Sequence, residues 1–223
     1  MNTGVSLASK TGILKRGGNE RMMKNATRVS LILAVCMAAP AISHADATTY
    51  RVRNDGKSRV TFVSDAPLET MTGKSSKVTG SITVDPADIT KTKGSFKVPV
   101  VSLSTDNDLR DEHLQGDGWL DAKNNPFVHF EISEIVLGKK GNKELKNGKD
   151  SKVEVKGKFT AHGITQPVTA KGTVNWSGNA IRIKASFPVD LTAHSISVPS
   201  IVRLKVANEI QVSVDLRGSA ATQ

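Results

Sequence analysis

The densest set of carboxylates lies between Thr105 and Asp121: Asp106, Asp108, Asp111, Glu112, Asp117 and Asp121, with Arg110 and His113 among them. Carboxylates at this density could hold a divalent cation. A calcium loop, however, needs alternating Asp side chains, a glycine at the turn and a distant Glu, and this spacing has no such frame. No metal site is expected. Thr105 and Asp108 are spaced as a capping box, with Leu109 and Leu114 behind them, which predicts a short helix over 104–114. The early carboxylates then favour its positive end. Arg110 and His113, three residues apart, share a face of that helix. Two roles are open to them. A guanidinium binds phosphate bidentately, so the pair could meet the polar head group of a ligand. Alternatively, Arg110 pairs with an Asp and pins the helix, leaving His113 exposed. His129, His162 and His194 are scattered along strands and turns, none beside a nucleophile, and no catalytic residue is expected.

The elements that must position these groups alternate with a period of two almost throughout. Tyr50 and Val52 open the pattern, Val60 and Phe62, then Ile82, Phe96 and Val98 continue it, and Phe130 and Ile132 follow. Longer runs then carry Phe159, Val174, Trp176, Ile183 and Phe187 on the same parity. The last element is read as Val202, Leu204, Val206, then Ile210 through Leu216. Eight to nine strands, apolar on one face and polar on the other, predict an antiparallel sheet, and without a long helix it becomes a sandwich or a closed barrel.

Small residues fall on the inward parity at Gly80, Gly157, Ala161, Ala170, Gly172 and Ala185. On the concave face of long strands they leave room for a ligand, as in small barrels. Glycine also lets a strand bend at a barrel corner, so curvature alone is the competing explanation. With a cavity, the lining expected from parity and the helix comprises Phe62, Ile82, Phe96, Val98, Leu109, Leu114, Trp119, Phe130, Ile132, Phe159, Val174, Trp176, Ile183 and Phe187. Without one, the strand residues among them are the core.

Before this sheet stands a different kind of segment. Lys24 and Arg28 precede an apolar run from 29 to 42, closed by Ser43, His44 and Ala45. That order is the plan of a secretory signal peptide, and the run is shorter than the roughly 20 residues a membrane helix needs. Residues 1–45 are assigned to it, with cleavage after Ala45 or Ala47 and a start near Met22 or Met23. One domain is expected over 47–217, periplasmic or secreted. The only cysteine, Cys36, lies inside the signal, so the exported chain has no disulfide. Of the 31 basic and 21 acidic residues, 1–45 holds six and one, so the net charge falls from +10 to +5. Half of the excess that suggested nucleic-acid binding leaves with the signal. The remaining positive charge is densest at Lys139, Lys140, Lys143, Lys146, Lys149 and Lys152, around Gly138, Gly141 and Gly148. This is read as an exposed hairpin loop, either merely solvated or docked on an anionic leaflet.

The same segments carry a family likeness. The stretch 101–114 (VSLSTDNDLRDEHL), then Trp119, Leu120, Asp121, Pro126, Phe127 and Phe130, resembles the YceI-like family of periplasmic lipid-binding proteins. The stretch 156–168 (KGKFTAHGITQPV) is similar to its second signature, and 187–191 (FPVDL) and 206–210 (VANEI) stand where it places its last two strands. The chain departs from the common pattern at 54–58 and 64–68, where members often carry histidines. The resemblance implies an all-β fold: an elongated, lipocalin-like, eight-stranded antiparallel barrel with a short helix between strands. It also implies a polyisoprenoid or similar long-chain lipid held inside, no other cofactor, and no enzymatic role. The runners-up are a stress-related interaction module, a partner of a membrane redox protein, and an enzyme using the barrel as a reaction chamber. Oligomeric state is left open, a dimer among the options.

Overall fold

The alternating segments form strands in a computed structural model that describes residues 47–138 and 141–221. The expected signal peptide, its start and its cut at Ala45 lie outside the described residues, as do Lys139 and Lys140. The strands are β1 (Thr48–Val52), β2 (Arg59–Asp65), β3 (Thr70–Ser75), β4 (Thr79–Val84) and β5 (Lys93–Pro99). They continue as β6 (Phe127–Val136), β7 (Asp150–Ala161), β8 (Ile164–Ser177), β9 (Ala180–Asp190) and β10 (Glu209–Ala220). One helix, α1 (Asp108–Gln115), lies between β5 and β6. Among the described residues no helix is long and apolar enough to cross a membrane.

Ten strands make eight staves. β10 pairs antiparallel with β1 at its end and with β2 at its start, and β4 and β3 pair with β1 and β2 in turn. Thus β1 and β2 are one stave interrupted at 53–58, and β3 and β4 another interrupted at 76–78. At the first interruption, the buried Ser58 hydroxyl accepts from the Arg217 N–H at 3.0 Å, satisfying a ladder donor that the break leaves without a backbone acceptor. The order then runs β4, β5, β6, β7, β8, β9, β10, all antiparallel, and Tyr50 against Ala220 closes the circle. The fold is a closed eight-stranded antiparallel barrel, which leaves no edge running its length.

Two local expectations change. Val202, Leu204 and Val206 alternate but form no ladder. Pro199 opens a 3-10 turn at Ser200–Val202, and the Lys205 and Val206 N–H groups go to the Val202 carbonyl, so β10 begins only at Glu209. The helix starts at Asp108, capped by Asn107, whose Oδ1 accepts from the Arg110 N–H at 3.0 Å. Thr105 is unavailable as the cap because its N–H and hydroxyl both donate to Asp111. The described residues 141–149 belong to the connection between the adjacent antiparallel strands β6 and β7 and are exposed as expected, except that Leu145 is buried and its N–H donates to the Pro86 carbonyl.

Most of the inward glycines make room for aromatic rings rather than for a ligand. A Cβ at Gly73 would lie 2.1 Å from the Phe62 ring, at Gly80 2.7 Å from that of Phe96, and at Gly157 2.5 Å from that of Phe130. Each phenylalanine folds over a glycine on the neighbouring strand. At Gly172 a Cβ would meet the Lys184 carbonyl at 2.0 Å, so close strand approach excludes any side chain. Cavity space instead adjoins the alanines Ala161, Ala170 and Ala185.

Candidate functional site: the barrel interior

The interior holds two adjoining apolar spaces. The upper chamber, of about 500 Å³, is reached past α1 and the 191–206 segment. The lower one, of about 100 Å³, lies deeper among Ile82, Phe96, Ile132, Val174, Ile183 and Leu216. Val60, Val98, Val128, Phe159 and Val212 line both, so the two adjoin end to end along the barrel. Its waist is aromatic: the Phe159 and Phe187 rings meet edge to face at 5.4 Å, and Phe130 lies 5.6 Å from Phe187. The upper volume falls in the usual range for small-molecule sites. The lower one compares with apolar cavities of about 150 Å³ that stay dry and accept a small hydrocarbon.

One end is shut. Tyr50 is fully buried, its hydroxyl donating to the Gly178 carbonyl at 2.7 Å and accepting from Trp176 Nε1 at 2.6 Å. Leu145 packs on this end with its N–H on Pro86, and the Lys143 carbonyl accepts from the Ile89 N–H. Trp176, expected in the lining, therefore borders neither space. Its inward parity is real, but at the last turn of β8 inward means into the plug. The described lysines of 143–149 belong to this shut end.

The other end is the mouth, and there the polar groups gather. Arg110 borders the upper chamber with all three guanidinium nitrogens engaged. Nε donates to Thr105 Oγ1 and one Nη to the Thr105 carbonyl, both at 2.8 Å, and the other Nη meets Glu69 Oε1 at 3.1 Å. Its carboxylate partner is thus on the β2–β3 connection, not an Asp of its own helix. Asp111 fixes the base of α1, taking Ser104 and Thr105 hydroxyls at 2.7 and 2.6 Å. Burial pushes its carboxyl up, but those bonds, the Thr105 N–H and nearby Arg110 together hold it below the ordinary value. His113 borders the same chamber. Of the acidic cluster read from the sequence, Asp106 pairs with Lys74, Asp111 takes the loop hydroxyls and Asp121 holds Asn124 and Asn125, and among the described residues no three His, Cys, Asp or Glu side chains converge on a metal position.

Of the other expected lining residues, Phe62, Leu109, Leu114 and Trp119 border the upper chamber. Ile82, Phe96, Phe130, Ile132, Val174, Ile183 and Phe187 border the lower, and Val98 and Phe159 both. The sequence reading missed the segment 191–202, where Leu191, Ile196 and Val202 line the chamber beside His194. His194 is 1% exposed, with its Nδ1 2.9 Å from the Ile164 carbonyl and its ring edge-on to Phe159 at 5.4 Å. A signal was present: His194, Ile196 and Val198 are buried at a spacing of two, in an irregular segment that leaves the 3-10 turn Thr192–His194 and joins no strand. Asp190 anchors it by accepting from the Thr192 N–H and hydroxyl and from Asn208, bonds that together keep its carboxyl low. In the lower space one polar atom stands alone. The Thr92 hydroxyl is buried with no hydrogen-bond partner.

Comparison with known proteins agrees with this architecture. BcnA of Burkholderia cenocepacia superposes with a TM-score of 0.64 at 25% identity, over 77% of this chain and 99% of that one. A Saccharophagus degradans structure, described as a polyisoprenoid-binding domain implicated in plant cell wall breakdown, gives 0.60 at 16% identity, over 78% and 99%. A UPF0312 protein of Vibrio cholerae is 28% identical over 132 residues, 56% of this chain, which spans 65% of the length of that relative. One from Vibrio parahaemolyticus is 28% identical over 149 residues, 66% of this chain and 72% of its own. The YceI-like domain profile matches residues 50–218, nearly the whole barrel, and by that match the chain belongs to the YceI-like family.

Proposed function

We propose that the protein binds a long-chain amphiphile in its interior and sequesters or ferries it in the periplasm or outside the cell. One observation carries this: two adjoining apolar spaces in line along the barrel, shut at one end and open at the other, with most of their polar side chains at the opening. A hydrocarbon tail would pass the Phe159–Phe187 waist and end below it. A polar head would remain near Arg110 and His113. Arg110 is already neutralised by Glu69, so the site asks for no strongly charged head. The description of the Saccharophagus degradans relative supports a polyisoprenoid as the first candidate. Each buried methylene contributes up to about 0.8 kcal/mol, offset in part by ordering of the chain, so exchange should be slow and cargo should survive purification. Binding rather than catalysis is favoured because Arg110, Glu69 and Asp111 at the mouth are spent on one another and on the loop that starts α1.

Native mass spectrometry followed by organic extraction tests this. The expected result is a mass excess that disappears on extraction and yields a lipid with a long apolar chain. A protein that is empty as purified, and takes up neither an isoprenoid nor a fatty amide, would refute the proposal.

A further inference from the structure

Large apolar side chains are ordinarily scattered singly over a soluble surface. Here Leu68, Leu109, Ile201 and Leu204 are 68, 63, 90 and 58% exposed, and they come together at one place. Leu109 and Ile201 border the upper chamber. The Leu68 N–H donates to the Leu204 carbonyl at 2.8 Å, joining the β2–β3 connection to the 200–206 loop. An apolar patch continuous with a cavity mouth marks an interaction surface. Its charge identifies the partner. Arg203 and Lys205 flank Leu204, and among the described residues neither lies within ion-pair distance of a carboxylate. The nearby acids Asp106 and Glu69 are neutralised by Lys74 and Arg110. Asp65, Asp108 and Glu112 are exposed on the neighbouring elements without an ion pair among the described residues, but none lies in the 200–206 loop that carries Ile201 and Leu204, whose charged side chains are Arg203 and Lys205.

We infer that this rim docks on an anionic lipid surface, with Ile201 and Leu204 entering the acyl boundary and Arg203 and Lys205 meeting lipid phosphates. The chamber then opens directly onto the bilayer, so a chain could enter or leave without crossing water. The purpose rests on the cargo proposal, but the docking does not. The lysines of 143–149 lie at the shut end and take no part.

The full chain and its variants would be sedimented with vesicles of phosphatidylcholine alone or mixed with phosphatidylglycerol, so that any contribution of residues 1–46 is common to all. Ile201→Ser with Leu204→Ser should weaken binding at least about tenfold on both vesicle types, because apolar insertion is lost. Arg203→Gln with Lys205→Gln should weaken it roughly fivefold per cation, only on the anionic vesicles and less in high salt. Equal binding by wild type and both variants would overturn the inference, as would loss only on Lys143→Glu with Lys146→Glu. A dimer that the Ile201→Ser and Leu204→Ser variant abolishes, without vesicle binding by wild type, would assign the rim to a second copy instead. Cargo measured separately by extraction keeps failure of docking distinct from failure of the cargo proposal.

Discussion

The two ends of the barrel are built from the same strands and differ in almost every other respect. The shut end is made of buried contacts: Tyr50 to Trp176 and Gly178, Leu145 onto Pro86, and Ile89 onto Lys143. Its left-handed backbone positions are glycines, Gly148 and Gly178, for which such angles cost little. The mouth carries the non-glycine residues with positive φ: Asp106, Asp121, His162 and Ser195. It also holds the helix, the exposed leucines and the polar network. Strained backbone and exposed apolar surface persist where something besides stability depends on them. The difference teaches that one end of this barrel stabilises the fold while the other carries its function.

The largest effect that could break this contrast is on global stability. Tyr50→Ala removes a fully buried ring and leaves the Trp176 N–H without its acceptor, so a loss of about 3–5 kcal/mol is expected by denaturant unfolding. Ile201→Ala at the mouth should stay within about 0.5 kcal/mol. Comparable losses at the two sites would end the distinction.

A local effect comes next. The lowered Asp111 carboxyl contributes stability that is present above 3.8, the ordinary value, and is lost as pH falls through its folded value. Asp111→Asn should imitate that loss at neutral pH. Hydrogen exchange should then speed up roughly tenfold at 104–111, the equivalent of about one hydrogen bond to a charged group, while β4, β9 and the Tyr50 region keep their protection. Uniform acceleration along the barrel would mean that the ends are not independent.

The smallest effect concerns the lower space. Thr92→Val replaces a buried hydroxyl that has no partner with a methyl group, and should stabilise the protein by about 1 kcal/mol. A destabilised variant would show that the hydroxyl is bonded to a water or to cargo.

The strand pattern was legible in the sequence because a half-buried strand must alternate, and the phenylalanines on one parity all point inward. The short helix was legible from its polar start, though not its cap, since Asn107 and Thr105 are equally suited and only Asp111's position decides between them. The interruptions at 53–58 and 76–78 were not legible, because register between distant strands leaves no local mark. Trp176 was misplaced for a related reason: parity says which way a side chain points, not whether cavity or plug lies there. The 191–206 segment was read as mere connection and strand. Its burial comes from covering the mouth, a tertiary circumstance with no period of its own beyond His194, Ile196 and Val198.

The central claim is that a chain lies along the barrel interior with its tail toward the shut end. Anomalous diffraction from crystals grown with an isoprenoid or fatty amide carrying bromine at its tail tests it most directly. The bromine should appear below the Phe159–Phe187 waist, beside Ala170 and Val174, with the head near Arg110 and His113. Bromine at the mouth with the head buried, or bromine only on the outer wall, would contradict the account.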